Sequence, residues 1–338
     1  MGRAQGRAPK RASRIGRAAR WLIGAAAAGL GLFILARLFG LDTFTPMAQL
    51  AAFTPYAWFA AVLVAVLSAA ARSRWLLAVS AAVVVAHTAV LLPRAAPVNL
   101  PTTQAPDDPA DVVTVLTLNA EYGGADPTEL AALVRDGGVD VLAVQELTPE
   151  LAGALERAGL HGELPHRSLA PAPGVAGMGL YSAFPIAEEW ILPGGSSFPM
   201  VGALLEAGER GIAVQSVHPM PPVPGRTGVW ARELTELAEL SASAERPGAR
   251  AEHTVMLGDF NATLDHSLFR RLLAHFDDAH SEVDRALAAT WPADSPLPPP
   301  VGLDHVLVSP DMAVLAVTDH TVTGTDHQAV LASLVPAG

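Results

Sequence analysis

Met256-Leu-Gly-Asp-Phe-Asn-Ala-Thr263 is the stretch on which the reading of this chain turns. The apolar run Thr254–Leu257 has the length and composition of a buried strand and is stopped by Gly258. Asp259 and Asn261 therefore fall at the strand end, where a carboxylate and a carboxamide can position a water and a phosphate oxygen. Five other apolar runs carry polar residues at one end. Asn119 closes Leu116-Thr-Leu-Asn119, Gln145-Glu146 closes Val141-Leu-Ala-Val-Gln-Glu146, and His218 closes Val214-Gln-Ser-Val-His218. Asp304-His305 opens the run to Val308, and Asp326-His327 precedes the run Ala329–Leu334. A sheet gathers its strand ends along one edge, and chemistry is commonly placed on loops held by such a scaffold.

Each residue has a plainer reading alone. Asn119 could cap a turn, Gln145-Glu146 could enter the helix that Thr148-Pro149 announces, and Asp259 with Asn261 could close an Asx turn. As a set they point to one chemistry. Carboxylates and carboxamides are hard oxygen ligands suited to Mg2+ or Mn2+, with Glu146 as the principal ligand. Histidines near such an ion suit proton transfer and stabilisation of a phosphoryl oxygen. Asp304 could accept a hydrogen bond from His327 and fix its tautomer. The sequence has no cysteine, which excludes disulfides, thiolate zinc sites, iron–sulfur clusters and a cysteine nucleophile. It also lacks a G-x-S-x-G elbow around Ser182 and an H-E-x-x-H zinc helix.

Further strands are expected at Val112–Leu118, Val139–Val144, Gly179–Tyr181, Val201–Leu205, Ile212–Val217 and Leu303–Val308. Helices are expected at Pro127–Arg135, capped by Asp126, and at Pro149–Ala158, capped by Thr148, each with proline at its first position. Thr227–Ala244 and Ser267–His275 are longer amphipathic candidates. The irregular alternation predicts a mixed-sheet α/β layered domain.

The N-terminal third is different. The chain is 51% hydrophobic and 16% charged, with mean hydropathy +0.33. Three apolar stretches, Trp21–Phe39, Gln49–Ala71 and Trp75–Leu92, each approach the roughly 20 residues needed to cross a bilayer. A cleaved signal peptide is the alternative for the first. Residues 1–100 hold 11 basic residues against one acid, Asp42; beyond them 11 basic and 32 acidic residues remain, a formal net charge of −21. Seven basic residues precede the first span, and Arg72 and Arg74 separate the second from the third. The positive-inside rule then puts the N-terminus in the cytoplasm and the remainder outside. The expected organisation is a basic N-terminus over 1–20, three spans over 21–92, a proline-rich linker over 93–110 and a folded domain over 111–338. An acidic domain opposes nucleic-acid binding on average, unless Arg226, Arg232, Arg270 and Arg271 line a local groove.

The ordered set Asn119, Gln145-Glu146, His218, Gly258-Asp259-Phe260-Asn261, Asp304 and Asp326-His327 resembles the endonuclease/exonuclease/phosphatase superfamily, the metal-dependent fold of DNase I. The resemblance covers about Val112 to Leu334, and the whole is similar to membrane-anchored bacterial members. It implies a four-layer α/β sandwich and hydrolysis of a phosphodiester or phosphomonoester by in-line attack of water. It also implies Glu146 as Mg2+ or Mn2+ ligand, with Asn119, Asp326 and Glu121 in the metal region. Asp259 and Asn261 would activate the water, and His327, oriented by Asp304, would stabilise the pentacoordinate phosphorus. His218 would contact the phosphate or protonate the leaving oxygen, and Asn119 and Asn261 would help bind substrate. A lipid headgroup or other small phosphoester is the favoured substrate, a nucleic acid the alternative. A non-catalytic membrane-anchored binding module on the same fold is the reading from another class.

Overall fold

The computed structural model describes residues 14–95, 112–192, 196–207, 210–295, 297 and 300–337. The proline-rich stretch expected to be a linker falls almost wholly on 96–111, outside the described residues, as does most of the basic N-terminus. The N-terminal region forms α1 (Arg14–Leu38), α2 (Met47–Ala51), α3 (Thr54–Ala70) and α4 (Arg74–Ala95). The chain divides into two units. One comprises 1–39 and 54–93; the other comprises 40–53 and 94–338.

Two helical stretches, Gly16–Leu38 and Arg74–Ala95, all but the last two residues in the first unit, are by length and composition apolar enough to cross a membrane. Between them α3 has 17 residues, shorter than the apolar run Gln49–Ala71 that sequence suggested. The difference lies at its start: Gln49–Phe53 belongs to the second unit and is spent on packing there. Three polar pairings lie within the first unit. Ser68 and Ser80 hydroxyls meet at 2.9 Å, Trp58 Nε1 donates to Thr88 Oγ1, and His87 Nδ1 donates to the Val83 carbonyl.

The second unit contains two six-stranded mixed sheets. Its strands are β1 (Val113–Asn119), β2 (Val141–Gln145), β3 (His166–Ala170), β4 (Met178–Ser182), β5 (Ile186–Ile191), β6 (Val201–Ala207), β7 (Arg210–Val217), β8 (His253–Asp259), β9 (Asp277–Asp278), β10 (Asp304–Val308), β11 (Met312–Thr321) and β12 (Gln328–Pro336). The first sheet runs β11-β12-β1-β2-β4-β3 and the second β5-β6-β7-β8-β10-β9. Each is built on a parallel pair, β1 with β2 and β7 with β8, flanked by antiparallel neighbours.

Period-two alternation sorts the central strands into two cores. Val115, Val141 and Ala143 face inward to Val214, Leu257 and Val306 of the second sheet. Leu116, Leu118, Leu142 and Val144 face outward and meet Leu130, Val134 and Leu155. Those last residues come from α5 (Pro127–Asp136) and α6 (Pro149–Arg157), beyond which lies the short α7 (Leu160–Glu163). Trp230, Leu234 and Leu237 of α8 (Thr227–Ser241) join the inter-sheet core cluster. The layering is helix, sheet, sheet, helix. Both expected caps form: Asp126 accepts from the amides of Thr128 and Glu129, and Thr148 from that of Leu151, each before a proline at the first turn.

This topology brings the polar strand ends together. β1, β2, β7 and β8 all finish at the same edge. The antiparallel neighbours β10 and β12 begin there, and register sets Asp304 opposite Asp259 and Asn119 opposite Gln145. Gly258 permits the close approach of β8 to β7. Its φ is +150°, and a Cβ there would lie 2.0 Å from the Val217 carbonyl oxygen.

Candidate active site

Asn119 joins the two sheets at their shared edge. Its side-chain amide donates to Glu146 Oε1 at 3.4 Å and to Asp259 Oδ2 at 3.1 Å, while its oxygen accepts from the Glu121 amide. Glu146 Oε2 takes the Tyr122 amide at 2.6 Å. Asp259 Oδ1 takes the Asn261 amide at 2.7 Å, so the Asx turn does form, and Oδ2 is left facing the site. Asn261 is fixed by its side-chain amide on the Pro219 carbonyl and by its own carbonyl, which accepts from Trp230 Nε1.

His218 Nε2 lies 3.7 Å from Asp259 Oδ2 and 4.0 Å from Glu146 Oε1, with its ring stacked on Phe198. His327 Nδ1 donates to Asp304 Oδ2 at 2.9 Å, which leaves Nε2 4.0 Å from Asp259 Oδ2 and 3.7 Å from Asp326 Oδ1. The strand-end residues therefore meet in one cluster, apart from His305, which turns to Asp278 and the Ala262 carbonyl, and Gln145. Its amide instead spans the interior from Thr117 to Ser216 and ties β2 to β7.

Glu121 reaches the loop before β12, where Oε2 accepts the Asp326 amide at 2.8 Å. Three supporting residues had no sequence signal. Trp291 Nε1 donates to Asp326 Oδ2, Thr325 Oγ1 donates to the Asn119 carbonyl, and the Tyr122 amide holds Glu146. The backbone is strained here. Glu121, Tyr122, Glu146 and Asn261 all have φ between +42° and +57°, a region that costs a non-glycine residue about 1–3 kcal/mol and that recurs at functional sites.

The electrostatics are uneven. Burial raises Glu146 above the ordinary carboxylate range, against the Tyr122 and Asn119 hydrogen bonds. Burial also pushes Asp259 up to about 7, with His327 opposing and Asp304 reinforcing. Burial alone would lower His327, but Asp304, Asp259 and Asp326 hold its proton and raise it to about 10. His218 is driven down to about 3 by burial and by the neighbouring His327 charge.

Asp259, Asp304 and His327 bring ligand atoms within 4.8 Å of one another, a cluster able to hold a divalent ion. Within it, His327 Nδ1 is already committed to Asp304. The oxygen-rich side at Glu146, Asp259 and Asp326 better suits a hard cation. Two buried carboxylates there share one amide donor, which a dication would relieve.

The cluster lies in a cleft of about 760 Å³. No lysine or arginine lines it among the described residues. None of Arg226, Arg232, Arg270 and Arg271, the residues that could have made a local basic groove, lines this cleft. Arg232 instead faces Glu236, and Arg270 the Asp265 carbonyl.

A phosphoester-type site on a two-sheet α/β sandwich defines a metal-dependent hydrolase. The sequence profile of the Endonuclease/Exonuclease/phosphatase family matches residues 116–327, and the chain belongs to that family. Solved structures share the fold. Humanized D. rerio TDP2 carrying 14 mutations is 12% identical, with TM-score 0.55, over 66% of this chain and 99% of that one. An endonuclease/exonuclease/phosphatase from Beutenbergia cavernae is 19% identical, with TM-score 0.52, over 68% and 72%. The Neisseria 3′ phosphatase NExo bound to a product DNA hairpin is 18% identical, with TM-score 0.51, over 65% and 98%. No curated protein matches the sequence.

Proposed function

We propose that this protein is a membrane-anchored phosphoesterase that hydrolyses a small phosphodiester or phosphomonoester, with a lipid headgroup or similar group favoured over nucleic acid. The observation that carries the reading is the meeting of Glu146, Asp259 and the Asp304–His327 pair across the two sheets. Glu146 would hold Mg2+ or Mn2+, with Asp326, Asn119 and Glu121 around it. When bound, the ion supplies charge stabilisation to the phosphoryl oxygens.

The side chains carry the proton chemistry. Asp259, with its affinity for protons raised to about 7, is suited to accept a proton from water near neutral pH. Asn261 sets the turn that aims it. His327 stays protonated and donates from Nε2 toward the phosphoryl oxygen, its tautomer and orientation set by Asp304. His218 is neutral at ordinary pH, which favours a contact to the phosphate over protonation of the leaving oxygen. The lack of lysine and arginine among the described lining residues supports a substrate with one phosphate, since a polynucleotide track draws its affinity from those side chains. Helices α1, α3 and α4 would anchor the chain, with the catalytic domain outside the cytoplasm.

A panel of phospholipid, sugar-phosphate and nucleic-acid substrates against the full chain in detergent tests this reading. Magnesium-dependent turnover of a small phosphoester, lost in Glu146→Ala, is expected. Salt-sensitive cleavage of nucleic acid without turnover of small esters would overturn the substrate assignment.

A further inference from the structure

The segment Gly40–Phe53, between α1 and α3, is part of the catalytic unit. The rest of that unit leaves polar groups that this segment satisfies. Helix α9 (Ser267–Leu272) has no side-chain cap from its own N-cap residue, His266. Asp42, fully buried, supplies the cap from far away in sequence by accepting the Ser267 amide and hydroxyl. His266 is buried, with Nδ1 accepting the Thr263 amide at 2.8 Å. Its Nε2–H then needs an acceptor, and the Ala48 carbonyl lies there at 2.7 Å. Gln49 and Thr45 bond to Thr227, and Gln49 also donates to the Pro222 carbonyl. Gly40, at φ +67°, turns the chain against Ser267, which would lie 3.2 Å from a Cβ at that position.

Docked in this way, Ala48, Gln49, Ala52 and Phe53 line the catalytic cleft. Ala48, Ala52 and Phe53, with Val175, Phe198, Met220 and Val223, give the cleft an apolar lining beside its polar floor. We propose that this segment is a specificity element. On the phosphoesterase reading of the site, on which this rests, it selects a substrate that carries one phosphate next to a long apolar chain. Three features argue for that occupant's chemistry. The Glu146–Asp259–His327 floor would take its phosphate end. The remainder would meet aliphatic and aromatic side chains with no lysine or arginine among the described lining residues, so a second phosphate finds no partner. Phe53 is followed directly by Thr54, the first residue of the apolar helix α3, so the lining is built next in sequence to a segment suited to lipid.

The test uses the full chain in detergent with Mg2+ and two pairs of probes: butyl and dodecyl phosphate, and ethyl and dodecyl p-nitrophenyl phosphate. The wild type should favour the dodecyl member of the pair it hydrolyses by about tenfold or more in kcat/KM. Phe53→Asp, and independently Val223→Asp in the same cleft lining, should bring that ratio toward one, whereas Phe53→Leu should keep it. Equal rates for short and long chains in the wild type would overturn the proposal, as would a ratio unmoved by both aspartates. Failure of the wild type to hydrolyse either member, or equal activity in Glu146→Ala, would instead refute the phosphoesterase reading.

Discussion

Glu146 and Asp259 at the cleft floor, and Asp278 and Asp319 in the scaffold, are all buried carboxylates, yet they are shifted in opposite directions. At the floor each faces an amide, imidazoles and another carboxylate, and burial prevails: both hold protons more tightly than usual. In the scaffold burial would act the same way, but partners outweigh it. Asp278 accepts from His305 Nδ1 at 2.8 Å and from Ser281, and is lowered. Asp319 accepts from His280 and Arg285, and is also lowered. The scaffold uses its buried charges to hold β9, β10 and β11 in place. The floor keeps its charges under tension that a dication would relieve. Stability and chemistry thus draw on the same residue type, and the partners decide which role each acquires.

The comparison can be broken most forcefully at the floor. Asp259→Asn should lower kcat by about 10²–10⁴, the range expected for losing a general base, with chelation as severe and reversed by Mg2+. Asp304→Asn should cost about as much, because His327 loses the acceptor-only, charged partner that holds its proton and fixes its tautomer. A kcat within threefold of wild type for either variant would break the assignment.

Stability supplies the sharper contrast, because the two regions should respond with opposite signs. Asp259 has a folded value above its ordinary 3.8, so its charged form destabilises the metal-free fold, and the penalty fades as pH falls through about 7 toward 4. Asp259→Asn should therefore raise the melting stability of metal-free protein at pH 8, by on the order of 1–3 kcal/mol, with little gain at pH 4. Asp319 has a folded value below 3.8. Its contribution is present above that pH and is lost as pH falls through the lowered folded value. Asp319→Asn should then destabilise at pH 7 by about 1.5–3 kcal/mol, the worth of hydrogen bonds to a charged group, and flatten the acid limb of a melting-against-pH profile. Two variants moving the same way at neutral pH would dissolve the contrast. The smallest effect is expected at Asp42→Ala, which uncaps α9 at about 1 kcal/mol, read by the urea midpoint of the catalytic unit.

How much of this was written in the sequence depends on the kind of residue that carries it. The floor was legible because a carboxylate or imidazole at the end of an apolar run is conspicuous, and the central strands because both their faces are buried. The strands that sequence did not reveal, β3, β5, β9 and β11, are the four outermost strands of the two sheets. Edge strands pair on one side only and carry polar residues such as Glu188 and Glu189 in β5 or His166 and Arg167 in β3. The cleft wall was hidden for the opposite reason. Ala52 and Phe53 are ordinary apolar residues inside a run that hydropathy assigns to a membrane span, Ala48 lies just before it, and only tertiary partners such as His266 show where this segment goes. Supporting residues such as Thr325 and Trp291 act through one hydrogen bond each, which no local pattern announces.

The central claim is that the floor is a divalent-metal site organised by Glu146. Calorimetric titration of Mn2+ into metal-free full-length protein and into Glu146→Ala, with melting followed in parallel, tests it most directly. The account predicts saturable binding with a raised melting temperature in the wild type, and loss of both in Glu146→Ala. Binding of equal strength in the two proteins, or none in the wild type, would contradict it.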